Sequence, residues 1–177
     1  MIDTTPVAEP LFDEVDATPM STDEATVKPW SQARACLELA PKMWLSTVRP
    51  DGRPHAMPVT PVWVGDAPYF TTRPASRKGR NLIRNPNCVV SVGDESLDLV
   101  IEGRATRIYD EDRLRRVAQA FAAKFEWLFT LRDGRVYDDD LPGSPEYAFY
   151  RITPRRAFGY GADGLTATRW RFRPRSR

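Results

Sequence analysis

The residues best suited to binding chemistry lie at the end of a predicted strand, residues 69–72, and in the short helix that follows it. A turn separates the two, and Ser76 is placed to cap a helix that must end before Pro86. The free backbone N–H groups and the positive dipole end of such a helix attract anions. Arg77 and Lys78 stand beside these groups and favour a phosphate or a carboxylate. The pattern therefore predicts an anion-binding pocket.

The same charges have a simpler interpretation, because Arg77, Lys78, Arg80 and Arg84 are also what a solvated basic helix face would carry. The position of the charges favours the pocket. The helix dipole opposes cations at the N-terminus, where Arg77 and Lys78 lie, and favours them at the C-terminus, where only Arg84 lies. A bound anion would offset the unfavourable interaction of Arg77 and Lys78 with the helix dipole.

Composition limits the classes to which this chain can belong. Its 177 residues are enough for one domain with a sizeable core, and it has no apolar run of the ~18 residues that a membrane span needs. Residues 1–6 have neither a basic start nor an apolar core, so we expect a cytoplasmic protein without a signal peptide. Cys36, Cys88 and the single histidine, His55, give neither a disulfide framework nor the spacing of a metal site.

The net charge of +2 is unevenly distributed along the chain. Residues 1–29 carry seven acidic residues and one basic residue, a net charge of −6, which leaves +8 on residues 30–177. The first segment is also poor in large apolar residues, so we expect residues 1–29 to form a disordered acidic tail. The basic remainder suits a small phosphorylated ligand better than a nucleic acid, because no recognised nucleic-acid-binding motif accompanies its charges.

The predicted elements of residues 30–177 are mainly strands. Apolar spacing predicts one helix at Trp30–Leu39, capped by Ser31, and another at 111–126, whose apolar stripe is expected in the core. Strands are expected at Met43–Val48, 55–64, 68–72, 88–92, 99–109, 147–152, 156–160 and 165–172, with turns at 49–52, Pro154 and 161–164 and a loop at 127–145. Pro58 and Pro61 require that the 55–64 strand be bulged or lie at a sheet edge. About six to seven antiparallel strands with a few helices suggest a small barrel.

Three segments of the chain resemble the pyridoxamine 5′-phosphate oxidase-like family: residues 44–55, residues 69–72, and Ser76-Arg77-Lys78 with Asn85-Pro86. The resemblance covers roughly residues 30–173 and implies a split β-barrel that forms a homodimer. It also implies that FMN or the deazaflavin coenzyme F-420 lies in a groove between the two subunits. Ser76, Arg77 and Lys78 match the motif that binds the cofactor phosphate.

The resemblance implies further cofactor contacts, at Phe70 and Thr71 beside the phosphate, at Met57, Pro58, Val59 and Thr60 along the ring system, at Asn81 and at Trp170. Trp170 belongs to an ending, residues 168–172, that is similar to the flavin/deazaflavin oxidoreductase branch. It either packs on or near the cofactor or belongs to the ordinary barrel core. Met57 stands where the vitamin-making oxidases have a cofactor-contacting arginine, so we do not expect oxidation of pyridoxamine phosphate itself.

The activity implied by the resemblance is that of an oxidoreductase whose cofactor transfers hydride to a small organic acceptor. The alternative is a non-catalytic flavin-binding carrier or sensor with the same pocket. No side chain is assigned to catalysis, and His55 is either a general acid or a structural residue. Both cofactors present a ribityl phosphate to the same residues, and surplus positive charge at Arg73, Arg80 and Arg84 suits the anionic tail of the deazaflavin.

Overall fold

The computed structural model describes residues 5–11, 27–162 and 167–173, and it is mainly antiparallel β-sheet. Its helices are α1 (Trp30–Leu39), α2 (Arg77–Arg84) and α3 (Glu111–Phe125). Its strands are β1 (Val7–Pro10), β2 (Met43–Val48), β3 (Pro54–Val59), β4 (Pro61–Val64), β5 (Ala67–Thr72), β6 (Asn87–Gly93), β7 (Leu97–Arg107), β8 (Thr130–Arg132), β9 (Arg135–Tyr137), β10 (Glu146–Gly161) and β11 (Ala167–Arg171). Within these ranges no helix is long and apolar enough to cross a membrane.

The long strand β10 organises the sheet, because β5, β7, β9 and β11 all pair with it. From β10 the pairing runs through β7, β6 and β2 to β3 in one direction, and through β5 to β4 in the other. Since β3 continues into β4 through the single residue Thr60, the two paths meet along the chain, without pairing with each other, and form a split barrel. The predicted fold class, mainly β with a few helices in a split barrel, is confirmed.

The strand predicted at 55–64 is divided at Thr60 into β3, which pairs with β2, and β4, which pairs with β5. Pro58 and Pro61 flank this division, and neither has an N–H to donate to a ladder. Among the described strands β3 pairs with β2 alone, so its other edge is free. The prediction of a bulged or edge strand is confirmed, and the free edge opens the barrel on one side.

The core consists of two apolar clusters. Strand β2 alternates buried and less buried residues, and its inward Leu45 belongs to the same buried cluster as Phe70, Ile101 and Ile152. The second cluster joins α3 to the sheet through Leu114, Val117 and Phe121. Each fully buried side chain of this size contributes about 1.5–3 kcal/mol. The apolar stripe of α3 is therefore part of the core, as predicted.

Several local predictions were wrong. Ser31 lies inside α1, which has no side-chain cap hydrogen bond. Pro154 does not end a strand, because β10 continues past it with a register shift typical of a β-bulge. The predicted loop at 127–145 contains the hairpin β8–β9, whose turn residues Asp133 and Gly134 have φ angles of 50° and 69°. Most of the turn predicted at 161–164 lies outside the described residues.

The prediction of a disordered tail is wrong for residues 5–11; residues 1–4 and 12–26 lie outside the described ranges. Strand β1 pairs antiparallel with β11, so that Val7 lies opposite Arg171. The Glu9 carboxylate accepts hydrogen bonds from Arg169, at 2.6 Å, and from Arg171. Ala8 packs against the barrel core. A partner strand about 160 residues further along the chain thus orders a segment that is too polar to order itself.

Deleting residues 1–11 is expected to destabilise the protein, because β11 would lose one of its two neighbouring strands and Arg169 and Arg171 would lose their carboxylate. The loss should exceed the ~1 kcal/mol of one net hydrogen bond. Thermal unfolding of the truncated and full-length chains measures it. Glu9→Gln is the matched control, since it removes the ion pairs and keeps the strand. An unchanged melting temperature in the truncated chain would show that β1 does not stabilise the fold.

Candidate functional site

The predicted helix start is formed as the sequence indicates. Ser76 is the N-cap of α2, and its Oγ accepts a hydrogen bond from the Gly79 N–H at 3.1 Å. The Thr72 hydroxyl lies 3.1 Å from the same Oγ, so the end of β5 is tied to the start of α2. The helix ends at Arg84, with Asn85 as C-cap. Strand, turn and helix therefore present the first turn of α2 at one end of the barrel.

The turn before α2 lies so close to the helix that only glycine fits at position 79. A Cβ on Gly79 would lie 2.5 Å from the Pro74 carbonyl oxygen and 2.7 Å from that of Arg73. Both contacts are to backbone atoms, which cannot move aside as a flexible side chain does. The close approach fixes the position of the first helical turn, where the cap and the basic residues lie.

A chain of hydrogen bonds connects α2 to the β2–β3 hairpin. The buried Asn81 donates its side-chain N–H to the Thr47 hydroxyl at 3.0 Å, and that hydroxyl donates to the His55 carbonyl at 3.3 Å. Arg77 and Lys78 precede Asn81 by four and three residues, so all three lie on one side of the helix. This side faces the hairpin. The Asn81 amide group, predicted as a cofactor contact, is used in this structure to position the helix.

Positive charge accumulates where α2 meets the hairpin. Within the described residues, none of Arg49, Arg77 and Lys78 forms an ion pair with a carboxylate. The Nε atom of Arg49 and the Nδ1 atom of His55 are buried without a hydrogen-bond partner in the same ranges. Burial also lowers the pKa of the Lys78 ammonium. Within the described residues, this group of side chains therefore has unpaired hydrogen-bond donors and uncompensated positive charge, and it lacks a negatively charged acceptor.

The positive charges of Arg49, Arg77 and Lys78 affect the pKa of His55. Its pKa is lowered, first by burial and then by the positive charges of Arg49, Lys78 and Arg77. These three cations therefore lie close enough to the imidazole to act on it from both the hairpin and the helix. A neutral imidazole at pH 7 follows, because even the ordinary pKa is only about 6.5.

From His55, beside Arg49, Arg77 and Lys78, strand β3 extends along the free edge of the sheet. His55, Met57 and Val59 alternate with Ala56 and Pro58 along β3, so the first three share one face of the strand. Met57 is 41% exposed, whereas Val59 is buried. Thr60, which follows, is partly exposed. Of the four residues predicted along a cofactor ring, Met57 and Thr60 are thus partly exposed, Val59 is buried and Pro58 lies on the other face of β3.

Two further predicted contacts have their side chains in the interior. Phe70 is fully buried and stacks on Tyr150, with ring centroids 5.2 Å apart. Thr71 is buried and donates its hydroxyl hydrogen bond to the Ala148 carbonyl at 3.3 Å. In this structure these residues support the end of β5, and only their backbone is available to a neighbouring ligand.

Trp170 also lies in the core. It is 0% exposed, and a Cβ on Gly159 would come within 2.6 Å of its indole ring, so the absence of a side chain there makes room for it. The ring meets Trp30 edge to face, with centroids 5.8 Å apart. The indole N–H donates to the Lys28 carbonyl at 3.0 Å. The structure therefore places Trp170 in the barrel core, and a contact of its ring with a cofactor stays a prediction.

A cavity of about 380 Å³ lies elsewhere, on the outer face of β2, β6 and β7. It is lined by Trp44, Ser91, Val92, Gly93, Asp98, Leu99 and Val100. Its one charged side chain is a carboxylate, which repels anions. The chemistry of this cavity therefore differs from that of the cation cluster at α2.

Comparison with known families agrees with the arrangement of these elements. A family model described as pyridoxamine 5′-phosphate oxidase matches residues 30–160, from the start of α1 almost to the end of β10. The chain belongs to this family. A search of curated proteins finds no match to this member of the pyridoxamine 5′-phosphate oxidase family.

Solved structures share the fold of this family member. A putative pyridoxamine 5′-phosphate oxidase from Listeria innocua is 24% identical, with a TM-score of 0.56 over 72% of this chain and 94% of that one. A conserved hypothetical protein from Mycobacterium tuberculosis is 19% identical, with a TM-score of 0.61 over 84% and 91%. An F420 reductase is 22% identical, with a TM-score of 0.51 over 70% and 94%. At such identities these similarities show the fold alone.

Arg49 of this family member was not predicted as a site residue. The Arg-Pro-Asp-Gly sequence predicted a turn, and Gly52, with a φ of 82°, takes the conformation that such a turn requires. The neighbouring acid Asp51 pairs with Arg53 at 2.8 Å, which leaves Arg49 without a carboxylate partner among the described residues. One sequence signal could have identified Arg49 as a site residue. It is an arginine at the end of a hairpin, and the only acid nearby in sequence, Asp51, has Arg53 as its partner.

Proposed function

We propose that this protein is an oxidoreductase of the pyridoxamine 5′-phosphate oxidase family that binds FMN or the deazaflavin coenzyme F-420. The observation that carries the proposal is the group of cations without ion-pair partners, within the described residues, at the capped start of α2. A phosphate would supply the missing acceptor and negative charge. Met57 and Thr60, which are partly exposed, offer a surface along which a flat ring can lie.

The protein's contribution is to bind and orient the cofactor, which supplies the hydride chemistry when bound. Ser76, Arg77 and Lys78 are proposed to hold the phosphate at the first turn of α2. Met57 and Thr60 are proposed to line the ring system along β3. The free β3 edge leaves the opposite side of this surface open to a small organic acceptor.

The choice between the two cofactors depends on charge beyond the phosphate. Arg80 and Arg84 are exposed on α2, and neither forms an ion pair within the described residues. The exposed Arg73 lies over the Tyr147 ring, 5.7 Å from its centroid. The charges of Arg73, Arg80 and Arg84, which extend from the turn before α2 to its last residue, suit the anionic tail of F-420, and FMN has no such tail. We therefore propose the deazaflavin as the preferred cofactor.

Two measurements test this function. Fluorescence titration of the purified protein with FMN and with F-420 should give saturable binding, tighter for F-420. The reduced complex is then mixed anaerobically with quinones, nitroaromatics, biliverdin and unsaturated ketones, and at least one acceptor should reoxidise the cofactor. Binding without any reoxidation would favour the carrier or sensor function, and no binding of either cofactor would contradict both.

A homodimer is proposed to complete the site, because a ring on an open strand edge needs a second wall. Trp44 and Val48 are 48% and 38% exposed and share the outer face of β2, next to β3, where they form an apolar surface on which a second subunit can pack. Light scattering should report a dimer, and Trp44→Glu should weaken both the dimer and cofactor binding. Leu128→Glu, at another exposed apolar residue, is the control and should change neither. A strictly monomeric protein with full cofactor affinity would contradict this proposal.

A further inference from the structure

His55 stands where the hairpin and α2 meet, and the hydrogen bonds from Asn81 through Thr47 fix its backbone there. Its Nδ1 atom is buried without a partner among the described residues, and so is Nε of Arg49 at the start of the same hairpin turn. An imidazole nitrogen and a guanidinium nitrogen that both lack partners in one corner point to a shared ligand. Because one of them is a fixed cation, that ligand is an anion.

Among the described residues, the charged groups that act on His55 are cations, and none of them is an acid. Arg49 acts on it from the hairpin, and Lys78 and Arg77 act from α2. Strand β2, its partner, carries no titratable side chain, and on β5 the only such group is the buried Tyr69. Asp51, the nearest acid along the chain, is paired with Arg53. In the empty site the positive charges of Arg49, Lys78 and Arg77 therefore disfavour the protonated form of the His55 imidazole.

We propose that His55 and Arg49 are additional ligands of the anion held at α2, and that His55 takes up one proton from solvent when this anion binds. The inference rests on the proposed phosphate site and adds to it a dependence on pH. A dianion placed between His55, Arg49 and Lys78 reverses the local field, so the imidazolium becomes the favoured form. Binding then tightens as the pH falls from the pKa of His55 in the complex to its lower pKa in the empty protein.

The single histidine of this chain makes the test direct, since histidine-labelled protein gives one set of imidazole NMR signals. The pKa of His55 is measured in the empty protein and with sulfate, whose charge does not change between pH 5 and 8. It is measured again with FMN and with riboflavin, which has the same ring without the phosphate. We expect the pKa to rise with sulfate and with FMN and to stay low with riboflavin.

The sulfate affinity, measured from pH 5.5 to 8, should increase by up to about tenfold per pH unit inside the window between the two pKa values. His55→Gln should abolish this pH dependence while retaining binding through Arg77 and Lys78. Arg49→Gln should weaken sulfate binding at every pH. Arg116→Gln, an exposed arginine on α3, is the charge-matched control and should behave as the unmodified protein.

The outcomes separate this inference from the proposed function. Binding of sulfate or FMN with no change in the pKa of His55 would overturn it, as would an equal rise with riboflavin. Failure of sulfate and FMN to bind at all would also overturn it. A rise with sulfate in a protein that binds neither FMN nor F-420 would support the proton-coupled anion site and contradict the proposed function.

Discussion

Replacing Trp170 with alanine is expected to lower the free energy of unfolding by about 3–5 kcal/mol, the range for removing a buried aromatic side chain. The indole is fully buried, fills the space over Gly159 and contacts Trp30. Its removal would leave a cavity between β10, β11 and α1 that neighbouring strands cannot close. Chemical denaturation of the variant and the unmodified protein measures the loss.

Trp170→Phe separates packing from hydrogen bonding in this prediction. It keeps an aromatic ring and removes the N–H donor to Lys28, so a smaller loss of about 1–3 kcal/mol is expected. The cofactor affinity of the folded fraction should be unchanged in both variants, because the ring does not reach the surface. A large fall in affinity with unchanged stability would show instead that Trp170 contacts the cofactor.

Lys78→Ala is expected to weaken FMN binding tenfold to a hundredfold, which corresponds to the roughly 1.5–3 kcal/mol of a charge-assisted hydrogen bond. Folding of the empty protein should hold or improve slightly. Burial lowers the pKa of this ammonium, and it lies near the positive end of the α2 dipole, so nothing in the empty site favours its charge. The dissociation constant for FMN and the melting temperature of the empty protein are the two measurements.

Arg84→Ala is the matched control for Lys78→Ala, because it removes an exposed cation from the other end of the same helix. FMN is the ligand of choice, since its lack of an anionic tail gives Arg84 nothing to bind. Arg84 sits where the helix dipole favours a cation, so its loss should lower stability slightly and leave affinity unchanged. Equal and negligible losses of affinity in the two variants would show that the basic helix is only a solvated surface.

Most of the barrel could be predicted from sequence because local signals specify it. The apolar spacing gave α1 and β2 with correct bounds, and Ser76 with Pro86 predicted both ends of α2. The errors arose where a distant partner overrides local preference. Pro154 looked like a turn, but pairing with β7 on both sides of it carries β10 through a bulge. The segment at Val7–Pro10 has little apolar content of its own and is ordered by β11.

The candidate site was predictable to the extent that it is local. Ser76, Arg77 and Lys78 are adjacent in sequence, so the capped basic helix start could be found without the fold. The contribution of the hairpin could not, because it depends on how α2 packs against β2. The family resemblance implied a cofactor contact for Asn81, and the structure shows that its amide donates to Thr47, 34 residues earlier in the chain.

The position of β10 after β5 and β7 along the chain sets the order in which a growing polypeptide can pair these strands. β5 and β7 leave the ribosome well before residues 146–161, the strand that both of them need as a neighbour. Until then their open edges can pair with those of another nascent chain, which makes synthesis the period of greatest exposure to aggregation. Strand β1 can pair only after β11, which ends at Arg171, has been synthesised, so the earliest of the described strands is among the last to pair.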